Sequence, residues 1–221
     1  MKKKLMLLLT IVTIATVVNA QNWLLVGNGS TNPPTNFLGT TDAKKLVFKV
    51  NGQLSGLIDY DNTKANTSFG YQSLFSNTSG TDNIGLGYQA LYSNTTAINN
   101  IAIGTRALFS NTVAGNNTAV GYNAIYSNTN GTNLTGIGVN TLYHNTIGTQ
   151  NTALGLNALY TNTSGSFNTA LGIHDLFLNT SGSNNTAGGF YALYNNTTAN
   201  NNCAFGYKAL YSNTTTSDLT A

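Results

Sequence analysis

A glycine returns every 17 residues without a slip: Gly70, Gly87, Gly104, Gly121, Gly138, Gly155, Gly172, Gly189 and Gly206. A short fixed period of this kind means one structural unit stacked on copies of itself, so it constrains the fold more than any other feature of the chain. Nine units in unbroken register run from Asn66 to Asp218. Counting from Asn66 as position 1, the glycine is position 5. Position 9 is always Leu or Ile, from Leu74 to Leu210, and position 10 is always aromatic, from Phe75 to Tyr211. Positions 12 and 13 are always Asn-Thr, from Asn77-Thr78 to Asn213-Thr214, and position 3 is always Ser, Gly or Ala.

Seventeen residues rich in Asn and Gly do not accommodate a helix pair, because Gly and Asn are poor helix interiors and helical repeats need a longer period. Two runs per unit have strand composition, Thr-Ala-Val-Gly-Tyr and Ala-Leu-Tyr-Ser-Asn-Thr, separated by residues that turn a chain. The expectation is an all-β fold: a parallel β-solenoid or β-roll of nine coils with two short strands each. Coils ~4.8 Å apart give a rod about 43 Å long. Every repeat position then becomes a row along the rod. Position 9 and the aliphatic at position 4 are expected to form the dry core. The invariant Asn at position 12 is expected to stack at a turn, as in-register Asn ladders do. If positions 9 and 10 lie in one strand, their side chains face opposite ways. Leu inside would then put the aromatic row outside, as a stripe larger than soluble monomers usually expose. Either a turn breaks the alternation there or another chain covers the stripe.

Residues 1–20 read as a secretory signal peptide: Lys2-Lys3-Lys4, an uncharged run from Leu5 to Val18, and Val18-Asn19-Ala20 before Gln21. The run is too short for a comfortable membrane span, and no membrane insertion of the mature chain is expected. Without this segment the charges balance. Lys44, Lys45, Lys49, Lys64, Arg106 and Lys208 stand against Asp42, Asp59, Asp61, Asp82, Asp175 and Asp218. The overall +3 therefore gives no reason to expect nucleic-acid binding, which needs clustered Lys and Arg. Cys203 is alone and stands at position 2, where Thr is commonest, as a Thr-sized replacement. Residues 21–65 break the period and are expected to cap the first coil. Asn32-Pro33-Pro34-Thr35 marks a loop. Leu46 to Val50, Asn51-Gly52 and Gln53 to Tyr60 read as a hairpin on a type I′ turn. The array spans 66–221. Leu219-Thr220-Ala221 match the opening of an earlier unit, Leu134-Thr135-Gly136, which reads as truncation within a tenth repeat.

Runs such as Thr118-Ala119-Val120-Gly121 resemble the head repeats of trimeric adhesins of the YadA type, whose period is shorter, about 14 residues. The string Gly-Tyr-x-Ala-Leu-Tyr-Ser-Asn-Thr, complete at Gly87 to Thr95 and Gly206 to Thr214, is similar to repeats of secreted bacterial proteins with tail-fibre-like stalks. Asn36 to Asp42 and Leu46 to Val50 resemble the opening of those proteins. The resemblance implies a homotrimeric fibre shaft or adhesin-like stalk, secreted from or displayed on a Gram-negative cell.

No reaction centre is legible. His144 and His174 fall at different repeat positions, and no Ser, Cys or carboxylate pair recurs at a spacing that implies a nucleophile and base. Too few Asp are present to ligate calcium along the array. The chain is therefore expected not to be an enzyme, with no catalytic residue, no cofactor-binding residue and no metal ligand. Its expected partner is itself. A surface glycan stacked on Tyr, or ice ordered by Thr rows, is the alternative.

Overall fold

The computed structural model describes residues 44–59 and 65–221. The signal segment, all of residues 21–43 with the Asn32–Thr35 loop, and residues 60–64, among them the Tyr60 end of the expected hairpin, lie outside them. The described residues form one eleven-stranded sheet in chain order. The antiparallel hairpin is β1 (Leu46–Val50) and β2 (Gln53–Ile58). It turns on Asn51 and Gly52, both at positive φ, as the type I′ reading requires. β2 pairs antiparallel with β3 (Thr67–Phe69). From there every pairing is parallel and advances by 17 residues: β4 (Ile84–Leu86), β5 (Ile101–Ile103), β6 (Thr118–Val120), β7 (Thr135–Ile137), β8 (Thr152–Leu154), β9 (Thr169–Ile173), β10 (Thr186–Phe190) and β11 (Cys203–Phe205). The chain is a parallel β-solenoid with an N-terminal hairpin on its first coil.

Each coil holds one strand, not the two expected. The run Ala-Leu-Tyr-Ser-Asn-Thr is a chain of turns. Positions 7 and 9 both take the left-handed conformation, as at Gln72 and Leu74 (φ 55° and 53°) and Asn123 and Ile125 (φ 54° and 53°). A non-glycine residue there costs roughly 1–2 kcal/mol. Full burial of Leu or Ile returns roughly 1.5–3 kcal/mol, which is why the residue at position 9 can be a large aliphatic and never a small one. Its amide also donates to the carbonyl of position 8 in the following coil, as Leu91 does to Ala107 at 3.0 Å.

The core consists of position 9 together with small residues at positions 3 and 8, Ala102, Ala107, Ala119 and Ala124 among them. Position 4 was expected inside and is outside. Phe69, Ile103, Ile137, Leu154 and Leu171 are exposed. In a three-residue strand, side chains alternate, so position 3 inside forces positions 2 and 4 outside. Small residues at position 3 let the turn side pack close against the strand. The exceptions follow volume: Gly85 lies under Ser73, and Gly136 lies under Ile125 and Thr141.

The position-5 ladder has a steric cause. A Cβ on Gly121, whose φ is 137°, would lie 2.4 Å from the carbonyl oxygen of Gly138. The same close approach repeats from coil to coil, so the period has no room to vary at this position.

Two Asn ladders run inside the rod, and only one of them was expected. At position 12, each side-chain amide donates to the Asn oxygen of the preceding coil and to the carbonyl of position 15 in its own coil. Asn162 donates to Asn145 Oδ1 at 2.8 Å and to the Gly165 carbonyl at 2.9 Å. At position 1, each Asn oxygen accepts the backbone amide of the next coil, and its Nδ2 donates to a position-15 carbonyl. Asn100 N donates to Asn83 Oδ1 at 3.0 Å, and Asn83 Nδ2 donates to the Ala97 carbonyl at 2.8 Å. Nearly all of these Asn are fully buried. Leu134 interrupts the position-1 ladder; it keeps the backbone bond to Asn117 Oδ1 at 3.0 Å and fills the space with apolar bulk.

Candidate functional site

The outer surface of the sheet is the most unusual feature of the rod. Positions 2, 4 and 6 all point away from the core. Position 6 presents Tyr71, Tyr88, Tyr122, Val139, Leu156, Ile173, Phe190 and Tyr207, all exposed. Position 4 presents the aliphatic and aromatic row that was expected inside. Position 2 is a half-buried row of Thr118, Thr135, Thr152, Thr169 and Thr186, preceded by Ile84 and Ile101 and followed by Cys203. Cys203 is a free thiol in register with Thr186, as a Thr-sized replacement should be. None of the three rows contains a charged residue. At strand spacing and rise the face measures about 43 Å by about 16 Å, or about 700 Å². The largest apolar patch on a typical monomer is about 300–600 Å².

The aromatic row at position 10 behaves differently. Its nine rings form one unbroken stack along the rod. Phe109 and Tyr126 lie 5.1 Å apart at 4°, and Phe177 and Tyr194 lie 5.1 Å apart at 2°. Phe75 at the N-terminal end is exposed, and the other eight rings are half-buried. The row is covered largely by itself, because the turns at positions 7 and 9 swing it beside the coil rather than across a strand. Ring faces committed to one another are not free to stack on a sugar. Burial raises the Tyr143 and Tyr194 hydroxyl pKa values above the ordinary range, and neighbouring tyrosines add to the shift.

A third row, at position 7, is a partial polar relay. Asn123, Asn140 and Asn157 pass side-chain hydrogen bonds from coil to coil, ending on His174 Nε2 at 3.0 Å. His174 also stacks on Tyr191 at 5.1 Å, and burial lowers its pKa. Its neighbour Asp175 faces the other way and is fully buried at position 8, where six of nine copies have Ala. Asp175 Oδ1 accepts the Ala192 amide at 2.8 Å, while Oδ2 has no partner among the described residues. Burial raises this carboxyl above its ordinary range, opposed by the amides of Ala192 and Gly189. Gly172 beside it is the one position-5 glycine without the positive φ of the others. His174 and Asp175 therefore do not converge, although they are adjacent in sequence. His144 is exposed elsewhere, edge-on to Tyr143 and Tyr160. Among the described residues no group of three or more His, Cys, Asp or Glu could hold a metal ion.

The sheet face is not legible as long as position 4 is placed in the core, since its residues then form no outward row. The signal was available: position 3 is restricted to Ser, Gly and Ala, whereas position 4 ranges from Gly to Phe. An interior next to a close-packed turn tolerates less variation in volume than an outer face. Comparison with known proteins found no matching family model, no matching curated protein and no matching solved structure.

Proposed function

We propose that this chain is a non-enzymatic segment of a secreted or cell-surface stalk, adhesin-like in character, whose uncharged sheet face packs against further copies of the chain. The observation that carries the reading is that face: about 700 Å² by strand geometry, close to the ~800 Å² per partner that stable interfaces bury. Three uncharged rows, each repeated in register, present similar chemistry at every coil along the length of the face. A homotrimer is the expected closed form, and the rod supplies stiff reach. The test is sedimentation of the secreted chain beside the variant Leu154→Lys with Leu171→Lys. The parent should sediment as an oligomer and the variant as a monomer with an unchanged β spectrum. A monomeric parent would defeat the proposal.

The Thr row supports a second reading, ordered water or ice, because five consecutive Thr lie in one flat line with strand spacing. Ice binding predicts thermal hysteresis from the parent that Thr152→Leu reduces.

A further inference from the structure

The N-terminal end of the coil stack is a hydrogen-bonding template, and its complement is repeated within this same chain. Between coils the rules on the turn side recur, with Thr112 the one position-13 residue that does not follow them. The amide of position 11 donates to the position-10 carbonyl of the following coil, as Ser93 does to Phe109 at 3.1 Å. The amide and hydroxyl of position 13 both donate to the following position-13 carbonyl, as Thr95 does to Thr112 at 2.9 Å and 3.1 Å. The position-12 amide donates back to the preceding Asn oxygen, as Asn94 does to Asn77 at 2.9 Å. Each position-10 ring stacks on the ring before it.

In the first coil these groups have no counterpart among the described residues. The carbonyls of Phe75 and Thr78 accept no hydrogen bond there. Asn77 Nδ2 donates only to the Gly80 carbonyl, at 3.0 Å. One face of the Phe75 ring meets Tyr92 at 5.5 Å, and no ring stacks on its other face. The hairpin covers the strand side and stops: β2 pairs with β3, and the Leu54 and Ser55 carbonyls accept from Gln72 and Gly70. Beyond it lies a cavity of about 380 Å³, lined on the coil side by Leu74, Phe75, Asn77 and Thr78 and on the hairpin side by Val47 and Leu57 among others. That volume is in the range of small-ligand sites. Its lining is mixed, apolar on both sides and polar at Asn77 and Thr78, with Lys45, Lys49 and Asp59 adding charge on the hairpin side.

We infer that this end of the rod binds a Leu-aromatic-x-Asn-Thr segment, in the turn conformation it takes within the rod, contributed by a second copy of the chain, which continues the turn-side ladders by one layer. The leucine enters the cavity beside Leu74. The aromatic ring covers the free face of Phe75. The next residue's amide donates to the Phe75 carbonyl, the threonine amide and hydroxyl donate to the Thr78 carbonyl, and Asn77 Nδ2 donates to the incoming Asn oxygen. This is addition of one layer to an open stack, with backbone bonds for affinity and two side chains for selection, as in peptide recognition at a sheet edge. The contact is axial and separate from the lateral sheet face.

The test is fluorescence anisotropy of a labelled Ala-Leu-Tyr-Ser-Asn-Thr peptide, the sequence of residues 90–95, titrated with the full secreted chain. Saturable binding is expected. Methylating the peptide's Ser and Thr backbone nitrogens should weaken it at least tenfold, and so should Phe75→Asp, whose thermal melt shows that the rod is still folded. Leu154→Lys with Leu171→Lys should bind the peptide as the parent does. The proposal is overturned by absence of saturable binding, whether another part of the chain already sits there or nothing binds. Equal affinity for the methylated peptide, or loss of binding in the sheet-face variant, overturns it as well. Should Phe75→Asp fail to fold, the methylated peptide alone decides.

Discussion

The two sides of each coil invert the usual arrangement of polarity. On the turn side, the asparagines of the position-1 and position-12 ladders are buried and satisfied. On the sheet side, isoleucine, leucine, phenylalanine and tyrosine face outward in rows. Burying an amide costs a few kcal/mol unless its hydrogen bonds are replaced, and the stacked coils replace them at every layer. Exposing large apolar rows costs comparably unless something covers them. Between the ends of the rod the turn side is therefore completed by neighbouring coils, while the sheet side leaves its large apolar rows exposed. Buried amides and exposed apolar rows thus lie on opposite faces of the same 17 residues.

The comparison is broken most severely by placing a charge on the complete side. Leu159→Asp buries a carboxylate at a fully enclosed position and should abolish cooperative folding, a loss of several kcal/mol. Thr161→Asp, two residues on, gives up hydroxyl bonds to the carbonyls of Phe177 and Asn179, at a cost of about 1 kcal/mol. Equal melting temperatures for the two variants would disprove the core assignment.

Next in size is Asn162→Ala. It removes two donated bonds and the acceptor used by Asn179, leaving buried groups unpaired on both sides, for an expected loss of about 2–4 kcal/mol. Chemical denaturation measures it, and a loss below that of Thr161→Asp would show that the ladder is decorative.

Asp175→Ala sharpens the comparison from the other direction, since here the turn side holds a polar group that is only half satisfied. The alanine restores the commonest residue at position 8 and should raise stability at pH 7 by about 0.5–2 kcal/mol. Because the folded state holds the Asp175 proton more tightly than the unfolded state, its contribution is fullest below the ordinary value of 3.8 and declines as pH rises through the raised folded value. His174 runs the opposite way. Its lowered folded pKa means that its contribution is present above 6.5 and is lost as pH falls through the folded value. Melts from pH 3 to pH 8 should therefore show that Asp175→Ala gains most at the upper end. A gain that is largest at pH 3 would contradict the burial argument.

The smallest effect on folding belongs to the open side. Ile137→Lys should change the stability of a dissociated chain by no more than about 0.5 kcal/mol, as surface substitutions do. A loss of several kcal/mol, read by denaturation at high dilution, would mean that the sheet face is an internal core after all.

Much of this molecule follows from its repeat. The period, the parallel stacking, the buried leucine, the position-12 ladder and the Asn-Gly hairpin can each be read from which residues recur at which spacing, because a row of identical residues has few ways to stack. The number of strands per coil could not be read that way. Ala-Leu-Tyr-Ser-Asn-Thr has strand composition, and what makes it a turn is the left-handed backbone at positions 7 and 9. Gln, Arg, Leu and Ile do not choose that conformation alone, and enclosure of the leucine between neighbouring coils compensates for it. That conformation then decides which rows face outward. It moves the aromatic column beside the coil, puts position 3 in the core, and turns positions 2, 4 and 6 outward as three uncharged rows. The sequence alone determined that the chain stacks in register, since the recurring Gly and Asn leave no room for another period. Which side is finished and which is open was decided only by the tertiary structure, because inside and outside exist only once the turn has closed.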